Sequence, residues 1–191
     1  MSAAAEAVAP ATPIKLDIGC GKNKKAGFLG VDAIKFDGVD AVFNAGTDVW
    51  PYADNSVDEI HSSHFLEHLT NLGGKNERVH FFNEAYRVMK PGATMSLIFP
   101  HWASSRYYGD PSHKEPFSEF GFYYLSKEWR KGNAPHTDAE HVPGMYACDW
   151  ECTWGYSMHP TLNVRNAEYQ QHAMQFWLEA RQDVHANLKK K

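Results

Sequence analysis

Long apolar runs are missing from this chain. Its 191 residues hold no apolar stretch of the roughly 18 residues that a membrane-spanning helix needs. Cysteine is scarce. Cys20, Cys148 and Cys152 are an odd set in a sizeable chain, which excludes a disulfide framework. Cys148 and Cys152 have no second Cys or His pair at zinc-finger spacing. An excess of one charge is missing too. Lys and Arg number 19 against 23 Asp and Glu, for a net charge of −4 with His neutral. That balance argues against a general polyanion-binding surface and leaves room only for a local basic patch. Residues 1–12 are rich in Ala and Pro and lack the basic start of a secretory signal. They read as a disordered tail before a single domain over residues 13–191. A reduced, cytoplasmic compartment is the expectation.

What is present is globular: 43% hydrophobic and 14% aromatic residues, with 11 His. The organising stretch is residues 14–21. Ile14, Leu16 and Ile18 make a short apolar strand that breaks into Gly19-Cys20-Gly21, with Asp17 two residues before the first glycine. Glycine permits φ > 0 and lets backbone N–H groups approach a ligand. A strand ending in such a turn in a parallel sheet is the usual seat of a nucleotide-like ligand. The third glycine of a dinucleotide fingerprint is absent, since Lys24 stands there, and no Gly-Lys-Ser/Thr follows for a P-loop. The next strand-like run ends at Asp32, and residues 22–27 leave no length for a full helix that would cradle a pyrophosphate. A ribose-gripping acid without a phosphate cradle suits a nucleoside with a zwitterionic tail.

Five pieces follow in order: Leu16-Asp17-Ile18-Gly19-Cys20-Gly21; Gly30-Val31-Asp32; Trp50-Pro51-Tyr52-Ala53-Asp54-Asn55-Ser56-Val57-Asp58-Glu59-Ile60; His64-Phe65-Leu66-Glu67-His68-Leu69; and Arg87-Val88-Met89-Lys90-Pro91-Gly92-Ala93. Together, over about residues 14–100, they resemble class I S-adenosylmethionine (SAM) methyltransferases, most nearly the small type-11-like members. The resemblance implies an α/β fold: a Rossmann-like, doubly wound, mostly parallel seven-stranded sheet with helices on both faces. It implies SAM as cofactor and S-adenosylhomocysteine as product. Asp32 is then expected on the ribose hydroxyls, Gly19, Cys20 and Gly21 along the methionine part, and Asp17 on the turn or the amino group. Asn44 stands where the family often carries an acid that reads the adenine amino group, with Asp48 as the nearby alternative. Both could equally cap turns. Trp50 and Tyr52 would flank the adenine or belong to the core. His64, at the end of the fourth strand, would lie near the methyl group.

Residues 39–43 and 57–62 read as further strands. Residues 76–89 read as an amphipathic helix with Val79, Phe82, Tyr86 and Met89 on one stripe, stopped by Lys90-Pro91-Gly92, and residues 93–99 as a buried strand. Parallel strands joined by helices place ligands at the carboxyl ends of the strands. His64, Glu67 and His68 also spell the inverted zinc-protease signature. A zinc hydrolase needs a third ligand and a longer helix, and Gly73-Gly74 cuts this segment short, so no metal is expected.

The stretch 100–117 mixes aromatic and ionisable residues where the chain leaves the fifth strand. Long loops in compact domains are usually functional, and residues 100–147 are expected to form the acceptor-site loops. Trp102, Arg106, Tyr107, Tyr108, Asp110 and His113 are the expected acceptor-binding residues, with a plain surface loop held by an Asp–His pair as the alternative. Positioning an acceptor in line with the S–CH₃ bond can supply up to roughly 7–11 kcal/mol, and a base helps a hydroxyl acceptor further. His101, His113 and His64 are the candidate bases, the first two ahead on loop placement.

Towards the C-terminus, residues 118–125 read as a short helix, 131–147 as a loop or second lid and 150–158 as a strand. Residues 166–180 read as a helix with Tyr169, Ala173, Phe176, Trp177 and Ala180 inward. Residues 182–189 read as a last strand, with a helix as the rival, before a solvated basic end. The reading is transfer of methyl to an O or N atom of a small-molecule or sugar-like acceptor. The alternatives are nucleotide or nucleic-acid methylation, a non-catalytic SAM-binding protein, or a zinc hydrolase on His64, Glu67 and His68. The absence of Asn/Asp-Pro-Pro-Tyr after the fourth strand counts against adenine-N6 methylation.

Overall fold

A computed structural model describes residues 12–142 and 145–191; the expected tail at residues 1–12 falls outside them but for residue 12. Seven strands form one sheet: β1 (Lys15–Ile18), β2 (Leu29–Asp32), β3 (Val39–Val42), β4 (Val57–Ser63), β5 (Met89–Pro100), β6 (Trp150–Met158) and β7 (Arg181–Lys190). The order is β3-β2-β1-β4-β5-β7-β6. The first five strands pair in parallel, and β7 runs antiparallel between β5 and β6. This is the doubly wound, mostly parallel sheet that the strand pattern implied. The order turns back at β1 and β4, which leaves a crevice at their carboxyl ends.

β1 and β4 carry near-continuous apolar or small residues because both faces of a central parallel strand are covered. Leu16, Ile18, Val57 and Ile60 are fully buried. The crossover from β4 to β5 is α1 (Glu77–Val88). It buries Phe81, Ala85 and Val88 along with the expected Val79 and Phe82, a wider stripe than period counting gave. β5 begins at Met89 directly after the helix, so Lys90-Pro91-Gly92 lies inside an irregular strand start, and a short α2 (Ser105–Tyr108) follows the strand.

Two of the five sequence pieces serve the scaffold. Arg87 donates to the carbonyls of Trp50 (3.0 Å) and Tyr52 (2.9 Å) and pairs with Asp54 and Glu84. This ties the segment before β4 to the end of α1.

The C-terminal third departs from the sequence reading in three places. Residues 131–147 hold the end of α3 (Lys127–Asn133) and a short α4 (Asp138–His141), anchored by buried Arg130, which donates to the carbonyls of Tyr124 and Cys148. The last helix, α5 (Ala167–Phe176), buries Ala173 alone; Tyr169, Phe176 and Trp177 are exposed. The strand that follows starts at Arg181, which stops the helix early and turns that face outward. The C-terminal basic end is structural. Lys190 is 7% exposed, and its Nζ donates to Asn55 Oδ1 (2.7 Å) and to the carbonyls of Tyr86 (2.6 Å) and Met89 (2.8 Å). Residues 182–189 are strand. Among the described residues no helix is long and apolar enough to cross a membrane.

Candidate active site

The turns after the parallel strands surround a cleft of about 360 Å³, lined by Gly19, Asp32, Phe43, Asn44, His64 and Phe65 among others. Gly19 has φ +71°, and a Cβ there would come within 2.5 Å of the Phe65 ring. Only glycine permits this close turn. Gly21, also at positive φ, donates its N–H to Asp32 Oδ2 at 3.0 Å; Ile34 N–H donates to Oδ1 at 2.9 Å. Both carboxylate oxygens are thereby fixed in direction, and each keeps a lone pair for a further donor.

Asp17 is buried beneath the turn and accepts from the Lys25 N–H at 2.7 Å. Burial raises its pKa, against the lowering effect of that hydrogen bond. It holds the turn and does not line the cleft. Cys20 is buried as well, and burial followed by the nearby Asp17 and Asp32 charges pushes its thiol up. Asn44 lines the cleft, but its Oδ1 already accepts from Gly46 N–H (3.0 Å) and its N–H is capped by Asp48 Oδ2 (2.9 Å). Asp48 does not line the cleft; with Asn44 it builds the turn after β3. Trp50 is a core residue at 1% exposure: its indole donates to the Ala45 carbonyl, and it packs between Phe43 and Phe81.

The three candidate bases separate clearly. His101 is 1% exposed; its Nδ1 accepts from the Ala103 N–H (3.0 Å) and its Nε2 faces Glu119 and Arg181 at 3.5 Å. It is buried in the loop's interior and is not among the residues that line the cleft. His113 is buried, with Nδ1 on the Tyr107 carbonyl at 2.6 Å. His64 lines the cleft, close to half exposed, and sits at φ +54° where β4 ends. Its Nδ1 is 3.3 Å from Oε1 of buried Glu67, and that carboxylate raises the imidazole's pKa against the opposing effect of burial.

The acceptor-loop residues fall into two groups. Asp110 caps Ser112 and so builds the turn that presents His113, and Tyr107 supplies its carbonyl. Tyr108 is exposed. Trp102 donates to Glu119 (3.1 Å) and Arg106 pairs with Asp183 of β7 (2.6 Å); neither lines the cleft, though the Arg106–Asp183 pair lies near enough to His64 to act on its charge. Sequence reading missed Glu119, which collects Trp102, Tyr156 (2.9 Å) and Arg181 (3.0 Å) from distant segments. It also missed Arg78, a buried residue of α1 that donates to the carbonyls of Leu66 and Pro116. No local pattern marks either one.

The sheet order, the glycine turn and the acid ending β2 define a doubly wound α/β protein with a cleft at the carboxyl ends of its strands. Residues 29–97, just over a third of the chain, match the family model described as "Methyltransferase domain". That match and the fold shared with solved methyltransferases support a SAM-dependent methyltransferase. Several solved structures share the fold. A SAM-dependent methyltransferase from Archaeoglobus fulgidus is 18% identical, with 93% of this chain and 86% of that one covered at a TM-score of 0.63. A Thermotoga maritima methyltransferase described as a possible histamine N-methyltransferase is 14% identical, with 93% and 82% covered and a TM-score of 0.54. A chain in the complex of the Trm112 activator with a methyltransferase of Haloferax volcanii is 12% identical, with 94% and 82% covered and a TM-score of 0.52. No curated protein matches the chain. The residues present fit SAM: a turn at Gly19 too close to Phe65 for a side chain, a carboxylate held with lone pairs free for donors such as ribose hydroxyls, and the Phe43 side chain along the same wall.

Proposed function

We propose that the protein transfers the methyl group to an oxygen or nitrogen atom of a small-molecule or sugar-like acceptor, with His64 as the proton-accepting group. Bound SAM supplies a methyl on a positively charged sulfur, so the leaving group is already activated. The chain's own work is to hold the acceptor in line, exclude water and take a proton. Asp32 accepts from the ribose hydroxyls through charge-assisted bonds. The Gly19–Gly21 turn lets the backbone run close to the amino-acid end, the N–H groups of the two glycines being spent on Val31 and Asp32 to hold the turn. Asn44 and Phe43 lie beside the base.

The observation that carries this reading is the placement of His64 on the cleft wall with Glu67 behind it. Glu67, with Oε1 3.3 Å from Nδ1, favours the charged form of the ring once it has taken a proton, as a carboxylate does behind a general base. This arrangement suits an O–H acceptor.

Labelled SAM with cell extract, fractionated into small molecules, protein and nuclease-treated nucleic acid, tests the reading. Label should enter the small-molecule fraction and depend on His64. Label in nucleic acid alone would overturn the acceptor class.

A further inference from the structure

Two turns that the sequence presents 40 residues or more apart meet in the fold. Glu67 lies on the short 3₁₀ turn Leu66–His68, and His113 on the Asp110-capped turn after β5. The Lys114 N–H donates to the Glu67 carbonyl at 2.9 Å and joins them. The Glu67 side chain is 1% exposed, and neither of its carboxylate oxygens receives a hydrogen bond from the described residues. The nearest side-chain nitrogens to Oε1 are His64 Nδ1 at 3.3 Å, off hydrogen-bond geometry, and His113 Nε2 at 3.9 Å. A buried carboxyl group left without donors is an unfavourable arrangement that a bound cation relieves.

The histidines around it are prepared for one. His113 Nδ1 meets the Tyr107 carbonyl at 2.6 Å, and His68 Nδ1 meets the Ser112 carbonyl at 3.3 Å. A carbonyl only accepts, so each Nδ1 carries the hydrogen and each Nε2 keeps its lone pair. Metal-binding histidines are oriented in this way, through the second ring nitrogen. The two rings meet edge to face with centroids 4.9 Å apart, and one donor atom from each of Glu67, His68 and His113 lies within 4.8 Å of the others. Zinc bonds near 2.0–2.1 Å would draw a tetrahedral set to about 3.4 Å apart, a movement that small side-chain rotations supply.

We propose that Glu67, His68 and His113 bind one divalent transition-metal ion of the zinc type. Two imidazoles and one carboxylate suit such an ion, whereas magnesium and calcium want oxygen ligands throughout. Three protein ligands leave a position open, and His68 lies on the cleft wall beside His64. The set differs from the zinc-hydrolase signature: a 3₁₀ turn and the left-handed backbone of His64 replace the helix that would stack His64 over His68. Glu67 has two oxygens and serves both His64 and the ion. Resting on the methyltransferase reading, the open position takes an acceptor oxygen and eases loss of its proton.

The test uses the full chain, stripped of metal and dialysed against Zn²⁺ or Co²⁺, with metal content measured by mass spectrometry and S-adenosylhomocysteine binding measured on each sample. The expected result is about one ion per chain and tetrahedral-type visible bands for Co²⁺. Affinity should fall about 100-fold or more in Glu67→Gln and His113→Asn, and stay unchanged in His159→Asn. Should Glu67→Gln not fold, the rise in Tm of the unaltered chain with Zn²⁺, and its loss in His113→Asn, decides. A chain that binds S-adenosylhomocysteine and retains no ion overturns the metal site and spares the methyltransferase reading. Retention indifferent to both ligand substitutions overturns the site as well. Ligand-dependent zinc binding without S-adenosylhomocysteine binding supports the metal site and counts against the methyltransferase reading.

Discussion

Gly21 donates its backbone N–H to Asp32 Oδ2 at 3.0 Å, so the turn after β1 and the acid ending β2 hold each other in place. Asp32→Ala removes both that anchor and the expected ribose acceptor. Calorimetric titration with S-adenosylhomocysteine should show one site in the unaltered chain and a loss of about 100-fold or more in the variant, since hydrogen bonds to a charged group are worth about 1.5–3 kcal/mol each. An unchanged Kd would remove Asp32 from the cofactor site.

The contrast between His64 and His101 gives a second expectation. His64→Ala should lower kcat on a hydroxyl acceptor by about 10²–10⁴-fold while S-adenosylhomocysteine affinity stays within a few-fold. His101→Ala should act mainly on stability, because that ring faces Glu119 and Arg181 and not the cleft. The reverse pattern of kcat losses would reinstate His101 as the base.

Glu119 should make stability depend on acid. Burial by itself would raise its carboxyl, but hydrogen bonds from His101, its own backbone N–H and Tyr156 outweigh burial and hold it at about 2, from an ordinary 4.5. The folded state therefore binds fewer protons than the unfolded one between those values. The contribution is whole above the ordinary value and is lost as the pH falls towards about 2. Thermal melts from about pH 6 to pH 2 should show the unaltered chain losing its advantage over Glu119→Gln across that window, an advantage of up to about 3 kcal/mol at neutral pH. A gap that does not narrow in acid would show that Glu119 has no depressed carboxyl.

Lys190→Met should destabilise the protein by about 2–3 kcal/mol, because it strands the carbonyls of Tyr86 and Met89 away from water. Lys189→Met, on an exposed neighbour, should stay within about 0.5 kcal/mol. Urea unfolding of the two variants side by side checks this.

The β-α-β half of the chain was legible because its signals are local. Alternation, the Gly19 and Gly21 turn and the end of α1 each depend on neighbours in sequence, and β1 to β4 came out within a residue or so, while β5 starts four residues before the expected Ala93. Asp32, Gly19 and His64 likewise follow from their place at strand ends. What escaped was set by long-range pairing. His101 looked free on a loop, yet Glu119 from the next segment and Arg181 from β7 enclose it. Trp50 looked like a ring for adenine, yet α1 packs over it. The inward face assigned to the last helix failed because β7 claims the chain from Arg181 and leaves Phe176 and Trp177 exposed. Lys190 read as a solvated end because nothing in a run of lysines tells which one inserts.

The order of the last two strands sets an order of assembly. β7 is made after β6 yet lies between β6 and β5. While the chain is being synthesised, β6 has no strand edge to join until β7 follows, so its backbone stays unpaired through the making of α5. The arrival of β7 therefore closes the sheet and seats the Lys190 ammonium under α1 in one event. Chains released before residue 181 would carry a complete cofactor turn and an unpaired apolar strand, the kind of intermediate that quality-control machinery recognises.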